Sequence, residues 1–139
     1  MSKSEIALHS TSNKKVKNAT PLSYGGIDFK SKLEMYCYKL LKESHIPVEY
    51  ENVKFQILEP FTYNDEKIRG MTFTPDFVGD NYVVECKGFM NDAFPLRWKF
   101  FKHHLLTHKL RYDLYLPRNR KDVEKVVQEI LSKQNRRIA

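Results

Sequence analysis

The feature that most constrains the fold is a pair of apolar segments joined by the tripeptide Gly-Asp-Asn at residues 79–81. Gly, Asp and Asn favour tight turns, so we predict two antiparallel strands over residues 68–78 and 82–87. Asp76 lies near the end of the first segment, and Glu85 lies in the second. Because a hairpin folds the second strand back along the first, the sequence predicts that these two carboxylates become neighbours.

The second segment places a carboxylate and an ammonium on one face of the sheet. Side chains alternate along a strand, so Glu85 and Lys87 point one way while Cys86 points the other way. An ionised carboxylate among valines in a central strand is costly unless it meets a cation or a metal. A simple Glu85–Lys87 ion pair and an ordinary turn role for Asp76 remain alternatives to a functional site.

Hydrophobic periodicity predicts the remaining elements and their order: helix, a three-stranded meander, helix, strand, helix. Apolar residues recur at helical spacing over residues 31–44 and 94–108, and they alternate over the strand segments. The strands are predicted over residues 48–58, 68–78, 82–87 and 111–116, and the inner face of the last helix contains Val123, Val127, Ile130 and Leu131.

Length and charge limit the domain organisation and the class of partner. The 139 residues suffice for one domain, which we assign to residues 25–139, and residues 1–24 are predicted to be a flexible basic arm that cannot pack a core by itself. Lysine and arginine total 24 against 17 acidic residues, a net charge of +7. This excess favours a polyanionic partner.

The sequence carries no sign of a membrane segment or of a disulfide framework. We find no apolar run of spanning length and no signal peptide, so we expect a soluble protein of the cytoplasm with no membrane partner. Cys37 and Cys86 lie in a predicted helix and a predicted strand, without the paired spacing of zinc ligands. We expect both to be buried, reduced thiols.

The residues and the order of elements together resemble the PD-(D/E)XK nuclease superfamily, whose restriction-endonuclease-like core runs αβββαβ. The match is Pro-Asp at residues 75–76, eight intervening residues, and Glu-Cys-Lys at residues 85–87. With Glu34 on the upstream helix, the Thr-Pro-Asp-Phe and Val-Glu-Cys-Lys-Gly blocks resemble the phage endonuclease I family of Holliday-junction resolvases and related small phage nucleases. The resemblance covers residues 25–116.

The resemblance implies an α/β fold with a mixed central sheet flanked by helices, here with an added C-terminal helix. It also implies that Asp76, Glu85 and the backbone carbonyl of Cys86 hold one Mg²⁺ or Mn²⁺, with Glu34 at a second metal position. Hard divalent cations prefer such oxygen ligands. Lys87 would orient the attacking water or neutralise charge in the transition state, so the implied catalytic residues are these three acids and Lys87.

Glu34 and the basic residues each keep a second interpretation. Ser31 followed by Glu34 resembles a helix capping box, so Glu34 also fits a purely structural role. Basic side chains on an amphipathic helix often serve only solubility. The candidate DNA contacts are Lys14, Lys15 and Lys17 in the arm, Lys30 and Lys32 near Glu34, and Arg97, Lys99 and Lys102 on the helix that follows the strand over residues 82–87.

The sequence therefore predicts a Mg²⁺-dependent endodeoxyribonuclease that leaves 5′-phosphate and 3′-hydroxyl ends, as the resemblance implies. Branched DNA is the expected substrate, and a four-way junction with two equivalent strands favours a two-fold homodimer. The resemblance suggests a phage or prophage setting in a bacterial cytoplasm. The alternatives are a single-strand or flap nuclease, a cleavage subunit of a recombination or packaging machine, and a non-catalytic DNA-binding module.

Overall fold

The structure is a computed structural model that describes residues 22–138. Within this range it is a mixed α/β protein, and none of its helices has the length and apolar character needed to cross a membrane. The elements are β1 (Ser23–Tyr24), β2 (Ile27–Asp28), α1 (Lys32–Glu43), β3 (Phe55–Leu58), β4 (Phe61–Tyr63), β5 (Glu66–Ile68), β6 (Met71–Phe73), β7 (Phe77–Val78), β8 (Tyr82–Val84), α2 (Ala93–Thr107), β9 (Asp113–Tyr115) and α3 (Arg120–Ile138). The predicted α/β class is confirmed.

Strand β8 lies at the centre of a three-stranded sheet in the order β7-β8-β9. β7 runs antiparallel to β8, with Phe77 opposite Val84, and β9 runs parallel to β8, with Leu114 opposite Val83. The other described strands form separate antiparallel pairs, β1 with β2, β3 with β6 and β4 with β5. The Gly-Asp-Asn turn therefore joins two paired strands, as predicted.

The side chains of this sheet alternate between two apolar cores. Phe77 and Val84 belong to the core formed with α1 and α3, whereas Val78 and Val83 belong to the core formed with α2, β3 and β6. Successive residues of a strand point to opposite faces, so this division places helices on both sides of the sheet. Both faces of β7 and β8 are consequently buried.

The apolar faces of the helices agree with the predicted periodicity. Cys37 and Leu41 of α1 pack against Val123 and Val127 of α3 in the first core, and all four are buried. In the second core α2 buries every fourth or third residue, which gives a continuous inner face. The buried residues of α2 are Phe94, Trp98, Phe101 and Leu105.

The predicted three-stranded meander is wrong, because the segment over residues 68–78 does not form one strand. It divides into the end of β5, then β6, which pairs with β3, and β7, which pairs with β8. Pro75 lies between β6 and β7 and has no N–H to donate to a ladder. The segment over residues 48–58 forms a strand only at β3, apart from one isolated bridge between Tyr50 and Phe77.

The sequence did not predict the strands of two further hairpins, β4 with β5 and β1 with β2. β4 and β5 flank Asn64 and Asp65, whose φ angles of 47° and 66° suit the tight turn of a hairpin. Nearly every residue of this hairpin is exposed, so its sequence lacks the hydrophobic alternation of a half-buried strand. β1, at the end of the predicted arm, pairs with β2, whereas residues 1–21 lie outside the described part of the chain.

We expect Gly79→Ala to destabilise the protein, because a Cβ at Gly79 would overlap the ring of Tyr82. That ring is buried, and its hydroxyl donates to the carbonyl oxygen of Pro47 at 2.9 Å, so it has little freedom to move. The expected loss is about 1–3 kcal/mol in the free energy of unfolding, measured by urea denaturation. Gly88→Ala is the control, because its Cβ would meet only the Arg118 carbonyl, at 4.0 Å. Equal stability of both variants would contradict the close packing of Tyr82 against Gly79.

Candidate active site

Three carboxylic acids are buried at one end of the central sheet. Among residues 22–138 the buried polar or charged side chains are Glu34, Asp76 and Glu85, which expose 6%, 5% and 5% of their surface. They come from three separate places: the first turn of α1, the residue before β7 and the residue after β8. Burying a carboxylate is costly unless a cation, a proton or hydrogen-bond donors compensate it.

Two hydrogen bonds between side chains and backbone fix Asp76 and Glu85 next to each other. The backbone N–H of Asp76 donates to Glu85 Oε1 at 3.0 Å, and the backbone N–H of Cys86 donates to Asp76 Oδ2 at 2.7 Å. Each carboxylate therefore binds the backbone of the other strand just beyond the last pair of the β7–β8 ladder. The two acids are neighbours, as the hairpin predicted.

Glu85 and Lys87 point to the same face, as side-chain alternation predicted. The Lys87 ammonium lies 3.4 Å from Glu85 Oε2 and 4.8 Å from the centroid of the Phe94 ring at the start of α2. The backbone N–H groups of Glu85 and Lys87 donate to the carbonyl oxygens of Tyr115 and Pro117, both at 3.0 Å. The strand thus remains paired with the chain after β9, which holds both side chains in place.

Cys86 points away from these residues into the first core. It is buried there and forms no disulfide with Cys37, which is also buried, as predicted. A hydrogen bond with Cys37, and then burial, raise the pKa of the Cys86 thiol far above its ordinary value. The thiol therefore stays protonated, and the part of Cys86 available at the acidic face is its backbone.

Glu34 combines the capping role and the site role that the sequence left open. Its backbone N–H donates to the side-chain oxygen of Ser31 at 3.1 Å, as in a capping box. In a capping box its carboxylate would accept from the backbone N–H of Ser31. Here it accepts instead from the backbone N–H of the preceding residue, Lys30, at 3.1 Å. The negative charge of the same carboxylate contributes to the raised pKa of Asp76, so α1 begins beside the acidic cluster.

The loop before β3 supplies two contacts that sequence reasoning missed. The hydroxyl of Tyr50 donates to Glu34 Oε1 at 3.2 Å, and the backbone N–H of Glu51 donates to the Asp76 carbonyl oxygen at 2.8 Å. Glu51 also pairs with the ammonium of Lys30 at 2.7 Å. These residues lie outside regular elements, so no periodicity marks them. The only signal in the sequence is an aromatic residue between acids.

The electrostatics of the cluster oppose the simultaneous ionisation of Asp76 and Glu85. Burial, followed by the negative charges of Glu85 and Glu34, raises the pKa of Asp76 to about 10. Burial also raises the pKa of Glu85, although Lys87 and the Asp76 N–H partly oppose this shift. Two carboxylates that share a site cannot both ionise without compensation. Near neutral pH the cluster therefore requires a shared proton or an additional cation.

The donor atoms of the cluster fit a hard divalent cation by their chemistry. Among residues 22–138 no three His, Cys, Asp or Glu side chains are spaced to hold one ion. The set implied by the resemblance is smaller: the Asp76 and Glu85 carboxylates with the Cys86 carbonyl. All of these donors are oxygen atoms, and such cations keep several waters when the protein supplies few ligands. Three buried acids outnumber the nearby ammonium groups of Lys87 and Lys30, and Lys30 is already paired with Glu51, so the excess of acid also favours a cation.

The candidate DNA-contacting residues fall into three groups. Lys14, Lys15 and Lys17 lie outside the described residues. Lys30 is paired with Glu51, and the Arg97 guanidinium donates to the Thr72 carbonyl oxygen, so both make contacts within the protein. The third group makes no such ion pair or backbone contact within the described part of the chain and is exposed, as Lys30 also is: Lys32 at the start of α1, and Lys99 and Lys102 on α2.

Arg118 is a further basic residue that the sequence analysis did not select. It is exposed directly after β9, and its side-chain Nε donates to the backbone carbonyl of Lys87. Its own backbone N–H donates to Asp122 at 2.9 Å. The first of these bonds holds the Arg118 guanidinium against the backbone of Lys87. Only the pairing of β9 with β8 brings it there, so the sequence spacing did not reveal it.

We expect Asp76→Asn to stabilise the metal-free protein. The pKa of Asp76 is raised above its value in the unfolded chain, so its stabilising contribution is complete below about pH 4 and is lost as the pH rises towards 10. An amide keeps the acceptor for the Cys86 N–H and has no charge. The expected gain is roughly 1–3 kcal/mol near pH 8 and smaller near pH 5, measured by urea unfolding in EDTA.

The exposed turn residue Asp80 provides the control, and Asp80→Asn should leave the stability nearly unchanged at both pH values. A lower stability of Asp76→Asn across the whole pH range would show that the acids do not repel each other.

Comparison with known proteins gives one family. A family described as a protein of unknown function (DUF1064) matches residues 14–120, which is more than half of the chain and includes all four residues of the candidate site. No curated protein and no solved structure matches the chain. The chain therefore belongs to the DUF1064 family.

Proposed function

We propose that this protein is a Mg²⁺-dependent endodeoxyribonuclease built on a restriction-endonuclease-like core. The observation that supports the proposal is the burial of Glu34, Asp76 and Glu85 at one sheet end, beside the ammonium of Lys87. The order of elements is compatible with an αβββαβ core followed by a helix. The sheet, with one antiparallel and one parallel neighbour of β8, is compatible with it too.

A structural role explains these acids poorly. Glu85 alone could form an ion pair with the partly buried Lys87, but Asp76 and Glu34 add two more buried acids, and no basic side chain among the described residues is buried. Their mutual repulsion destabilises the fold, and well-packed apolar residues would serve stability better. Groups with strongly shifted pKa values that converge on one place are typical of functional sites.

The proposed chemistry is hydrolysis of the phosphodiester bond. Mg²⁺, or Mn²⁺ in its place, held by Asp76, Glu85 and the Cys86 carbonyl, with Glu34 at a second position, would offset phosphate charge and acidify a bound water. The Lys87 ammonium, fixed between Glu85 and the Phe94 ring, orients the attacking water or stabilises negative charge that develops on the phosphate. The water oxygen bonds to phosphorus as the bond to O3′ breaks, which leaves 5′-phosphate and 3′-hydroxyl ends.

Branched DNA is the proposed substrate, and a two-fold homodimer is the proposed assembly. The net charge of +7 and the exposed Lys32, Lys99, Lys102 and Arg118 support contact with phosphates rather than with bases. A four-way junction offers two equivalent strands, which a two-fold dimer would meet with two sites. As the resemblance suggests, the setting would be recombination or genome processing by a phage or prophage in a bacterial cytoplasm.

Two other functions remain candidates. The same acidic cluster would serve a nuclease for single strands or flaps, or the cleavage subunit of a larger recombination or packaging machine. A DNA-binding module without chemistry would keep the basic surface and would need no metal.

Asp76→Asn and Glu85→Gln should each reduce Mg²⁺-dependent cleavage of labelled DNA by more than about 100-fold, because each removes a proposed metal ligand. Both should retain DNA binding in EDTA, measured by gel shift. Asp80→Asn should cut like the parent, since Asp80 is an exposed turn residue. Wild-type cleavage by both site variants would refute the site, and DNA binding by the parent without any Mg²⁺-dependent product would favour the non-catalytic module.

An immobile four-way junction should be cut faster than linear duplex, single-stranded or flap DNA of the same sequence, because the proposed dimer matches its symmetry. Parallel reactions with equal DNA concentrations give the ratio of the cleavage rates of the junction and of each other DNA directly. Affinity for the junction should fall steeply with salt, since phosphate contacts release counterions. Preferential cutting of flaps or single strands would select the alternative nuclease.

A further inference from the structure

Tyr50 is held rigidly beside the acidic cluster although it lies in a loop. Its ring centroid is 4.7 Å from that of Phe29 and 5.7 Å from that of Phe77, and its backbone forms an isolated bridge with Phe77. Phe77 is fully buried in β7, directly after Asp76. The Tyr50 ring is therefore anchored to the strand that carries one of the acids.

The hydroxyl of Tyr50 points at a single oxygen of Glu34. Glu34 Oε1 accepts from this hydroxyl at 3.2 Å and from the backbone N–H of Lys30 at 3.1 Å. Two donors on one carboxylate oxygen fix the rotation of the carboxyl group. The carboxyl of Glu34 is held in this orientation beside Asp76, whose pKa its negative charge helps to raise.

The same loop also contacts Asp76. The backbone N–H of Glu51 donates to the Asp76 carbonyl oxygen at 2.8 Å, so consecutive residues of the loop bind Glu34 and Asp76. The loop therefore sets the distance and the orientation between an acid on α1 and an acid on the central sheet. These two acids belong to elements that the chain does not connect directly.

We propose that Tyr50 is a positioning residue that orients the Glu34 carboxylate as a ligand for a second divalent cation. The inference rests on the proposed function and deepens it, because it identifies the residue that holds Glu34 in place. Glu34 is the implied metal ligand that the sequence also allowed to be only a helix cap. Residues that bind a metal ligand orient it and tune its affinity, and their loss typically weakens metal binding 10–100-fold. Without the Tyr50 hydroxyl, only the Lys30 N–H would bind this oxygen, and the orientation of the Glu34 carboxylate would be less well fixed.

The test compares Tyr50→Phe with a matched control. Phenylalanine keeps the ring contacts of Tyr50 and removes only the hydroxyl. Tyr36→Phe removes a similar bond elsewhere, since the Tyr36 hydroxyl donates to Glu124 at 2.7 Å between α1 and α3. Mn²⁺ binding to the metal-free proteins is measured by isothermal titration calorimetry, and the Mg²⁺ concentration for half-maximal cleavage is measured in parallel.

We expect Tyr50→Phe to weaken the lower-affinity Mn²⁺ site by about tenfold and to raise the half-saturating Mg²⁺ concentration similarly. DNA binding in EDTA should stay at the parent value, and Tyr36→Phe should match the parent in every measurement. In a Glu34→Gln background, Tyr50→Phe should change Mn²⁺ affinity by less than about twofold, because its target ligand is already lost.

The outcomes separate this inference from the proposed function. If the parent binds Mn²⁺ and cuts DNA while Tyr50→Phe behaves like Tyr36→Phe, only the role of Tyr50 is overturned. Additive effects of Tyr50→Phe and Glu34→Gln would overturn it as well, as would a loss of folding in Tyr50→Phe seen by circular dichroism. If the folded parent binds no Mn²⁺ at millimolar concentration, the proposed metal site fails, and this inference fails with it.

Discussion

The site depends on two hydrogen bonds, one from the Asp76 N–H to the Glu85 carboxylate and one from the Cys86 N–H to the Asp76 carboxylate. Each carboxylate accepts a backbone N–H from the strand of the other acid, just where the β7–β8 ladder ends. The bonds replace ladder contacts, so the two acids complete the pairing of the strands and are held at a fixed separation. Lys87 then follows Glu85 on the same face because the strand continues beside the chain after β9.

The buried acids make the fold less stable than apolar residues at the same positions would. The apolar residues around the acids, such as Phe77 and Val84, form a core that excludes water on one side. Burial makes the ionised acids unfavourable, and their proximity makes them more so. A protein tolerates such a cluster where a bound cation or a proton relieves it and where function requires it. The proposed nuclease activity is consistent with that balance.

The sequence predicted the parts of the fold that local geometry controls. Helical spacing identified the inner face of α2 through Phe94 and Trp98, and alternation placed Glu85 and Lys87 together. It failed where one residue redirects the chain, as Pro75 does between β6 and β7. It also failed for the exposed hairpin of β4 and β5, since strands that bury no face carry no hydrophobic alternation.

The sequence by itself determined which side chains share a face, because the periods of strands and helices depend only on local backbone geometry. It therefore determined the pairing of Glu85 with Lys87 and the approach of Asp76 across a tight turn. Only the tertiary structure decided that Glu34, Tyr50 and Arg118 meet at the same sheet end. Their positions follow from how α1, a loop and the end of β9 pack around the sheet, and contacts between distant segments leave no periodic trace in a sequence.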